Sequence, residues 1–253
     1  MERTSYVVVQ YNVMRDRLTD SPIGVLVIDD DTRWIDMVAA YIRRGKVSLA
    51  VADDAQDGLA AADMLRPSMI IFSLDLTDID TLNMCRGLRA TGDAHIIAMA
   101  RRCDKDTTDL ALAAGADEVL AKPSSGRSMA ARTRAVLRVH LASRRTTPSS
   151  GELADRRVFG PLSVNLERRE VFVADEQVKL TRTQFEILAT LAQRAGAVTS
   201  RQQLIDSVWG PSWTGSPNNI DVHIGQLRRR LGDDPARPLL VLSVRGKGFR
   251  LAR

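Results

Sequence analysis

Residues 180–210, LTRTQFEILATLAQRAGAVTSRQQLIDSVWG, hold two Ser/Thr-x-x-Gln pairs, Thr181 with Gln184 and Ser200 with Gln203, each directly ahead of an apolar run. In such a pair the hydroxyl accepts from the backbone N–H three residues on, and the glutamine reaches back to the cap. Each pair therefore predicts a helix start. A third helix is expected after Ser216-Pro217 and up to Gly232, because Ile220, Ile224, Leu227 and Leu231 recur at helical spacing on one face. The chain closes with LLVLSV at 239–244, the turn RGKG and FRLA at 249–252, a hairpin whose glycines permit a tight turn. Short β-like pieces, RREVFVA at 168–174 and QVKL at 177–180, precede the helices. Three helices followed by a hairpin predict a winged helix-turn-helix over residues 153–253.

Upstream, SRRTTPSSGE at 143–152 loses all periodicity and fills with Ser, Thr, Pro and Gly, the composition of a connector. Ahead of it, residues 23–142 alternate β-rich apolar runs with helical segments: VLVI at 25–28, SLAVA at 48–52, MIIF at 69–72, HIIAM at 95–99 and VLA at 119–121. Continuous Val/Ile/Leu runs mark strands covered on both faces, so the expected fold is an α/β doubly wound five-stranded parallel sheet. Its functional crevice should lie at the carboxyl ends of the strands. Two domains also suit a length of 253 residues. Residues 1–22 fit neither pattern, and Met14 is an alternative start.

Charge divides unevenly. Residues 151–253 carry 16 Lys/Arg against 11 Asp/Glu, the whole net charge of +5, while the first 150 residues balance at 20 against 20. A basic back half points to nucleic acid. No apolar run approaches the roughly 20 residues of a membrane helix, and the first segment lacks a signal-peptide pattern, so a cytoplasmic location is expected. Cys85 and Cys103 have neither metal-ligand spacing nor the numbers for a disulfide framework.

LTRTQFEILATLAQRAGAVTSRQQLIDSVWG, then NNIDVHIGQLRRRL at 218–231, then LSVRGKGFRL at 242–251 closely resemble the effector domain of OmpR/PhoB-family response regulators. If the third helix buries its Ile/Leu stripe, its opposite face presents Asn218, Asn219, Val222, Gly225, Gln226 and Arg229 to a major groove. Gln226 could bond an adenine edge, Arg229 a guanine or a phosphate, and Val222 a thymine methyl. The resemblance implies that Arg245 enters the adjacent minor groove and that Trp209, Arg228, Ser243 and Lys247 meet phosphates. A plain solvated polar face is the alternative. Family members often carry Arg at the positions of Asn218, Gly225 and Gln226, so a different target sequence is expected here. The polar loop GPSWTGSPNN at 210–219 falls where the family contacts RNA polymerase, although Trp213 could equally pack on the helices.

Asp29-Asp30-Asp31, PSMIIFSLDLTDIDTLNMCRGLR at 67–89 and AAGADEVLAKP at 113–123 resemble the receiver domain of the same family. A working receiver gathers two acids for Mg²⁺, a phospho-accepting Asp, a Ser/Thr and a Lys, because metal and lysine must neutralise the transferred phosphoryl group. Asp29 and Asp30 match the metal-binding acids, and Lys122 the lysine. Without a gap, Ser73 stands in the acceptor place, Ala100 in that of the switch hydroxyl and Val119 in that of the switch aromatic. Moving Asp75 into the acceptor place needs two extra residues before it and two fewer after it. In this family receivers dimerise through the fourth helix, fifth strand and fifth helix; Asp117, Glu118, Arg132 and Arg138 match charges of that face, and Ser128 replaces an expected Glu.

The sequence therefore predicts a dimeric, sequence-specific regulator of transcription that binds double-stranded DNA, independent of aspartyl phosphorylation, with no enzymatic activity and no cofactor. Two other readings remain open: a conventional phosphorylated switch using Asp75, and a receiver pocket repurposed for a small-molecule effector.

Overall fold

The computed structural model describes residues 24–42, 48–77, 79–122, 156–194, 196–211, 213 and 217–252, with Tyr41 and Ile42 by backbone alone. The chain divides into two compact units, residues 1–140 and 141–253. The N-terminal extension, the connector at 143–152, and Ser128, Arg132 and Arg138 lie outside the described residues.

In the first unit, β1 (Gly24–Ile28), β2 (Ser48–Ala52), β3 (Met69–Ser73), β4 (His95–Ala100) and β5 (Glu118–Ala121) form one sheet in the order β2-β1-β3-β4-β5, every pair parallel. Their unbroken apolar runs follow from burial: all five residues of β3 and all six of β4 are buried. Helices α1 (Thr32–Ile42), α2 (Ala55–Leu65), α3 (Thr81–Thr91) and α4 (Lys105–Ala114) connect the strands. Each starts on an aspartate: Asp31 accepts from Trp34 N–H, Asp54 from Asp57, Asp80 from Leu82 and Asn83, and Asp104 from Thr107. These carboxylates satisfy amides that a helix start leaves unpaired. The strand order reverses between β1 and β3, placing the ends of those strands at the switch point where such sheets carry their site.

The second unit opens with an antiparallel sheet of β6 (Arg156–Phe159), β7 (Leu162–Asn165), β8 (Glu170–Val173) and β9 (Glu176–Gln177). The sequence pattern marks the segment of β8, overlaps β9 only at Gln177, and gives no sign of β6 and β7. Gly160, at φ +57°, and Pro161 turn one into the other within two residues. Then follow α5 (Arg182–Gln193), α6 (Arg201–Trp209) and α7 (Asn218–Arg230), and the hairpin of β10 (Val241–Val244) and β11 (Gly248–Leu251). Both capping boxes form, Thr181 with Gln184 and Ser200 with Gln203. Ile220, Ile224, Leu227 and Leu231 enter one core with Leu188 and Leu191 of α5, Leu204 of α6 and Phe249 and Leu251 of the hairpin.

The Ser200 hydroxyl holds the first turn of α6, so Ser200→Ala is expected to lower stability by about 1 kcal/mol. Urea denaturation followed by far-ultraviolet circular dichroism measures it.

Candidate nucleic-acid interface and receiver pocket

Seven residues of the third helix and its end turn inward: Asn219, Ile220, His223, Ile224, Leu227, Arg228 and Leu231. This face is wider than the four-residue stripe read from the sequence, as expected for a helix packed on a globular core. Asn219, expected at the groove, is fully buried. Its helical position places it beside His223 on the inner face, and its polarity hid that from a hydropathy pattern. Trp209, expected at a phosphate, is also buried; its ring stacks on Trp213 with centroids 5.0 Å apart and lies 5.7 Å from His223.

Arg228 is buried too. Its guanidinium donates to Val241 O through Nε at 2.9 Å and Nη2 at 2.6 Å, and to Ser243 Oγ at 2.8 Å. Burial pushes its pKa down from the usual arginine value, and the negative charge of Asp233 opposes that shift. These bonds tie α7 to β10. Asp233, which sequence reasoning did not single out, works from the other side: its carboxylate accepts from the backbone N–H of Leu239, Leu240 and Val241.

The outward face of α7 carries exposed Asn218, Asp221, Arg229 and Arg230, with Val222, Gly225 and Gln226 half-buried. Gln226 Oε1 accepts from Gln184 Nε2 at 3.4 Å. Asp221 is held by Arg201, whose Nη2 lies 2.7 Å from its Oδ1 and whose guanidinium covers the Phe249 ring at 4.9 Å. Arg201 and Asp221 were not anticipated, because an ion pair twenty residues apart has no local sequence signal. On the hairpin, Ser243, Arg245 and Lys247 are exposed, and a groove of about 640 Å³ between β10 and the 235–238 loop is lined by Arg228, Arg245 and Arg250. Exposed helix face and basic hairpin turn together can offer hydrogen-bond donors to base edges and cations to a phosphate backbone.

In the first unit, Asp29 follows β1, Ser73 ends β3, Ala100 ends β4 and Lys122 follows β5, so the strand ends bring together four of the five expected pocket residues, Asp30 being the fifth. Lys122 Nζ lies 2.5 Å from Asp29 Oδ2, 2.8 Å from Ser73 Oγ and 3.9 Å from Asp75 Oδ2, with the Trp34 ring centroid at 5.1 Å. Asp29 is fully buried and Asp30 is exposed. Burial raises the Asp29 pKa above the usual aspartate value, while hydrogen bonds from Lys122 and from the Asp31 amide act to lower it. Ala100 and Val119 are buried and apolar at the positions where a switch hydroxyl and a switch aromatic were sought.

The residues present do not fit a receiver's Mg²⁺ site. The side chain that ends β3 is an alcohol, Ser73, bonded to Lys122, and Asp29 is engaged by the same lysine. Among the described residues, the one trio of acids whose oxygens converge within 4.8 Å is Asp53, Asp54 and Asp57, between the end of β2 and the first turn of α2, and it includes neither Asp29 nor Asp30.

Asp117 and Glu118, expected on a dimer face, are buried instead. Arg89 Nη2 lies 2.5 Å from Asp117 Oδ2, the Ile96 amide donates to the same oxygen at 2.9 Å, and His95 Nε2 lies 3.1 Å from Glu118 Oε1. They sit where β5 begins beside the start of β4, so side chains on the sheet meet there. Cys85 is a core thiol whose pKa burial pushes up to about 12, and Cys103 is exposed.

Residues 25–134 match the response regulator receiver domain family, and residues 175–251 the family described as transcriptional regulatory protein, C terminal. The sensory transduction protein RegX3 of Mycolicibacterium smegmatis is 32% identical over 230 residues, 90% of this chain and 98% of that protein. The transcriptional regulatory protein AfsQ1 of Streptomyces coelicolor is 34% identical over 230 residues, 91% and 98% respectively. The solved structure of a RitR mutant has TM-score 0.68 at 21% identity, covering 91% of this chain and 99% of that one, a likeness of fold. With matched receiver and effector regions in this order and relatives aligned over nearly their whole length, the chain belongs to the OmpR/PhoB family of DNA-binding response regulators.

Proposed function

We propose that this regulator recognises a specific duplex sequence through Asn218, Val222, Gln226 and Arg229 of α7 and through Arg245, with Ser243 and Lys247 on phosphates, and that it does so without aspartyl phosphorylation. The observation that carries the second half is Ser73, an alcohol in the acceptor place, bonded at 2.8 Å to Lys122. An alcohol is a far poorer acceptor of phosphoryl from phosphohistidine than a carboxylate. The chain acts as a homodimer through its receiver unit, in the cytoplasm, as a regulator and not an enzyme; paired effector units then read two half-sites with raised effective concentration. The loop around Trp213 is a contact for RNA polymerase.

A conventional switch is the second reading, favoured by the 3.9 Å approach of Asp75 to Lys122. Selection of random duplexes with untreated protein, at stated salt, separates the two. Tight sequence-specific binding by untreated protein, with no mass gain from acetyl phosphate and Mg²⁺, supports the first. Binding that appears only with a phosphoryl adduct on Asp75 supports the second.

On the selected duplex, Arg229→Ala is expected to cost about 1–3 kcal/mol and to relax preference at one base pair. Lys247→Ala weakens all duplexes alike and lowers the salt dependence by about one counterion. Fluorescence anisotropy across a salt series, with single base-pair substitutions, distinguishes these behaviours.

A further inference from the structure

The backbone turns sharply after β3. Ser73 Oγ accepts from the Asp75 N–H at 3.1 Å, folding the Asp75 side chain back over the strand ends. There its Oδ2 accepts from the Arg101 N–H at 3.0 Å, lies 3.8 Å from Arg101 Nε and 3.9 Å from Lys122 Nζ. One carboxylate thus reaches the ends of β3, β4 and β5, on the solvent side of Ser73 and facing the lysine, with 22% of its side chain exposed. An anion transferred to an acceptor at position 73 would have to occupy this space and be neutralised by this lysine.

We propose that Asp75 is a resident anion of the Lys122 pocket, standing where a receiver would otherwise carry a phosphoryl group and holding the unit permanently in its associating, DNA-binding state. Its ligands are the Lys122 ammonium and the Arg101 amide. Both are present without a hydroxyl at position 100, which accounts for an alanine there. The charge is fixed in the sequence, so no donor kinase and no hydrolysis is needed to set it or to remove it. This rests on the phosphorylation-independent reading given above.

The test uses the full chain and its selected duplex. Asp75→Asn keeps the shape and removes the charge; Asp75→Ala removes both and leaves room for formate. The expected result is a fall of about tenfold in self-association and duplex affinity for both variants, within the range that coupling between two sites ordinarily spans. Thermal midpoints should stay within a few degrees of the parent, and sodium formate should restore the Ala variant but not the Asn variant. Unchanged association and affinity in both variants would overturn the resident anion and leave phosphorylation independence standing. Loss of binding with a collapse of the thermal midpoint and no response to formate would reduce Asp75 to a turn residue and overturn it as well. If the parent binds only after acetyl phosphate adds a phosphoryl group to Asp75, the reading beneath the proposal fails with it.

Discussion

An alanine at Gly248 is expected to destabilise the C-terminal unit by about 3 kcal/mol or more and to remove duplex binding with it. Gly248 has φ +143°, a conformation that L side chains rarely adopt. A Cβ built there meets Thr199 O at 2.0 Å and Ser200 Cα at 2.8 Å, backbone atoms that cannot rotate away. They are pinned by the bridge between Thr199 and Phe249, whose amides and carbonyls exchange hydrogen bonds of 2.8 and 2.9 Å. This bridge fastens the start of α6 to the hairpin, so the clash disturbs both. Gly246→Ala supplies the comparison: φ is +71°, but nothing lies within 4 Å of the added carbon. It should cost about 1 kcal/mol, the conformational penalty alone. Urea midpoints of the two variants measure the difference, and equal losses would mean that the close approach to Thr199 carries no weight.

Lys122→Met has the second large effect, a loss of about 3–5 kcal/mol near neutral pH, because it leaves the fully buried Asp29 carboxylate without its cation. The pH dependence follows from the direction of the Asp29 shift. Its pKa is already raised by burial, and removing the lysine removes an influence that lowers it. A carboxyl group with a raised native pKa contributes stability that is present below its unfolded value and lost as pH rises through the native value. The deficit of the variant relative to the parent should therefore be largest near neutrality and shrink as pH falls toward the ordinary aspartate range. Hydrogen exchange at the amides of β1 and β3 locates the effect. Adding Asp29→Asn to the variant should recover much of the loss, since the uncompensated charge is then gone.

The five strands of the first unit were legible because a doubly covered parallel sheet imposes unbroken apolar runs, and α5 and α6 because their capping boxes are local chemistry. The inward stripe of α7 was legible for the same kind of reason. Strands β6 and β7 were not: each is four residues long, and β6 alternates exposed and half-buried positions, giving no apolar run. The burial of Asn219, Arg228 and Trp209 was hidden because partners from other elements, Val241 and Trp213 among them, decide it. Asp117 and Glu118 read as surface charges until Arg89 and His95, more than twenty residues away, supplied their partners. The pocket residues Asp29, Ser73, Ala100 and Lys122 were found by position along the strands. The return of Asp75 over Ser73 depends on a turn that no spacing rule encodes.

Arg228 and Asp233 together have a consequence for what kind of operator this protein tolerates. One clamps β10 by the Val241 carbonyl and the Ser243 hydroxyl, and the other holds the consecutive amides of Leu239, Leu240 and Val241 where the chain enters it, so the helix and the strand are fastened together. The two reading elements then behave as the fixed jaws of a caliper. Duplex DNA advances by about 3.4 Å per base pair. On the contacts proposed above, inserting a single pair between the bases met by α7 and those met by Arg245 leaves one jaw off its mark. A regulator that makes those contacts measures distance along the duplex as strictly as it reads letters.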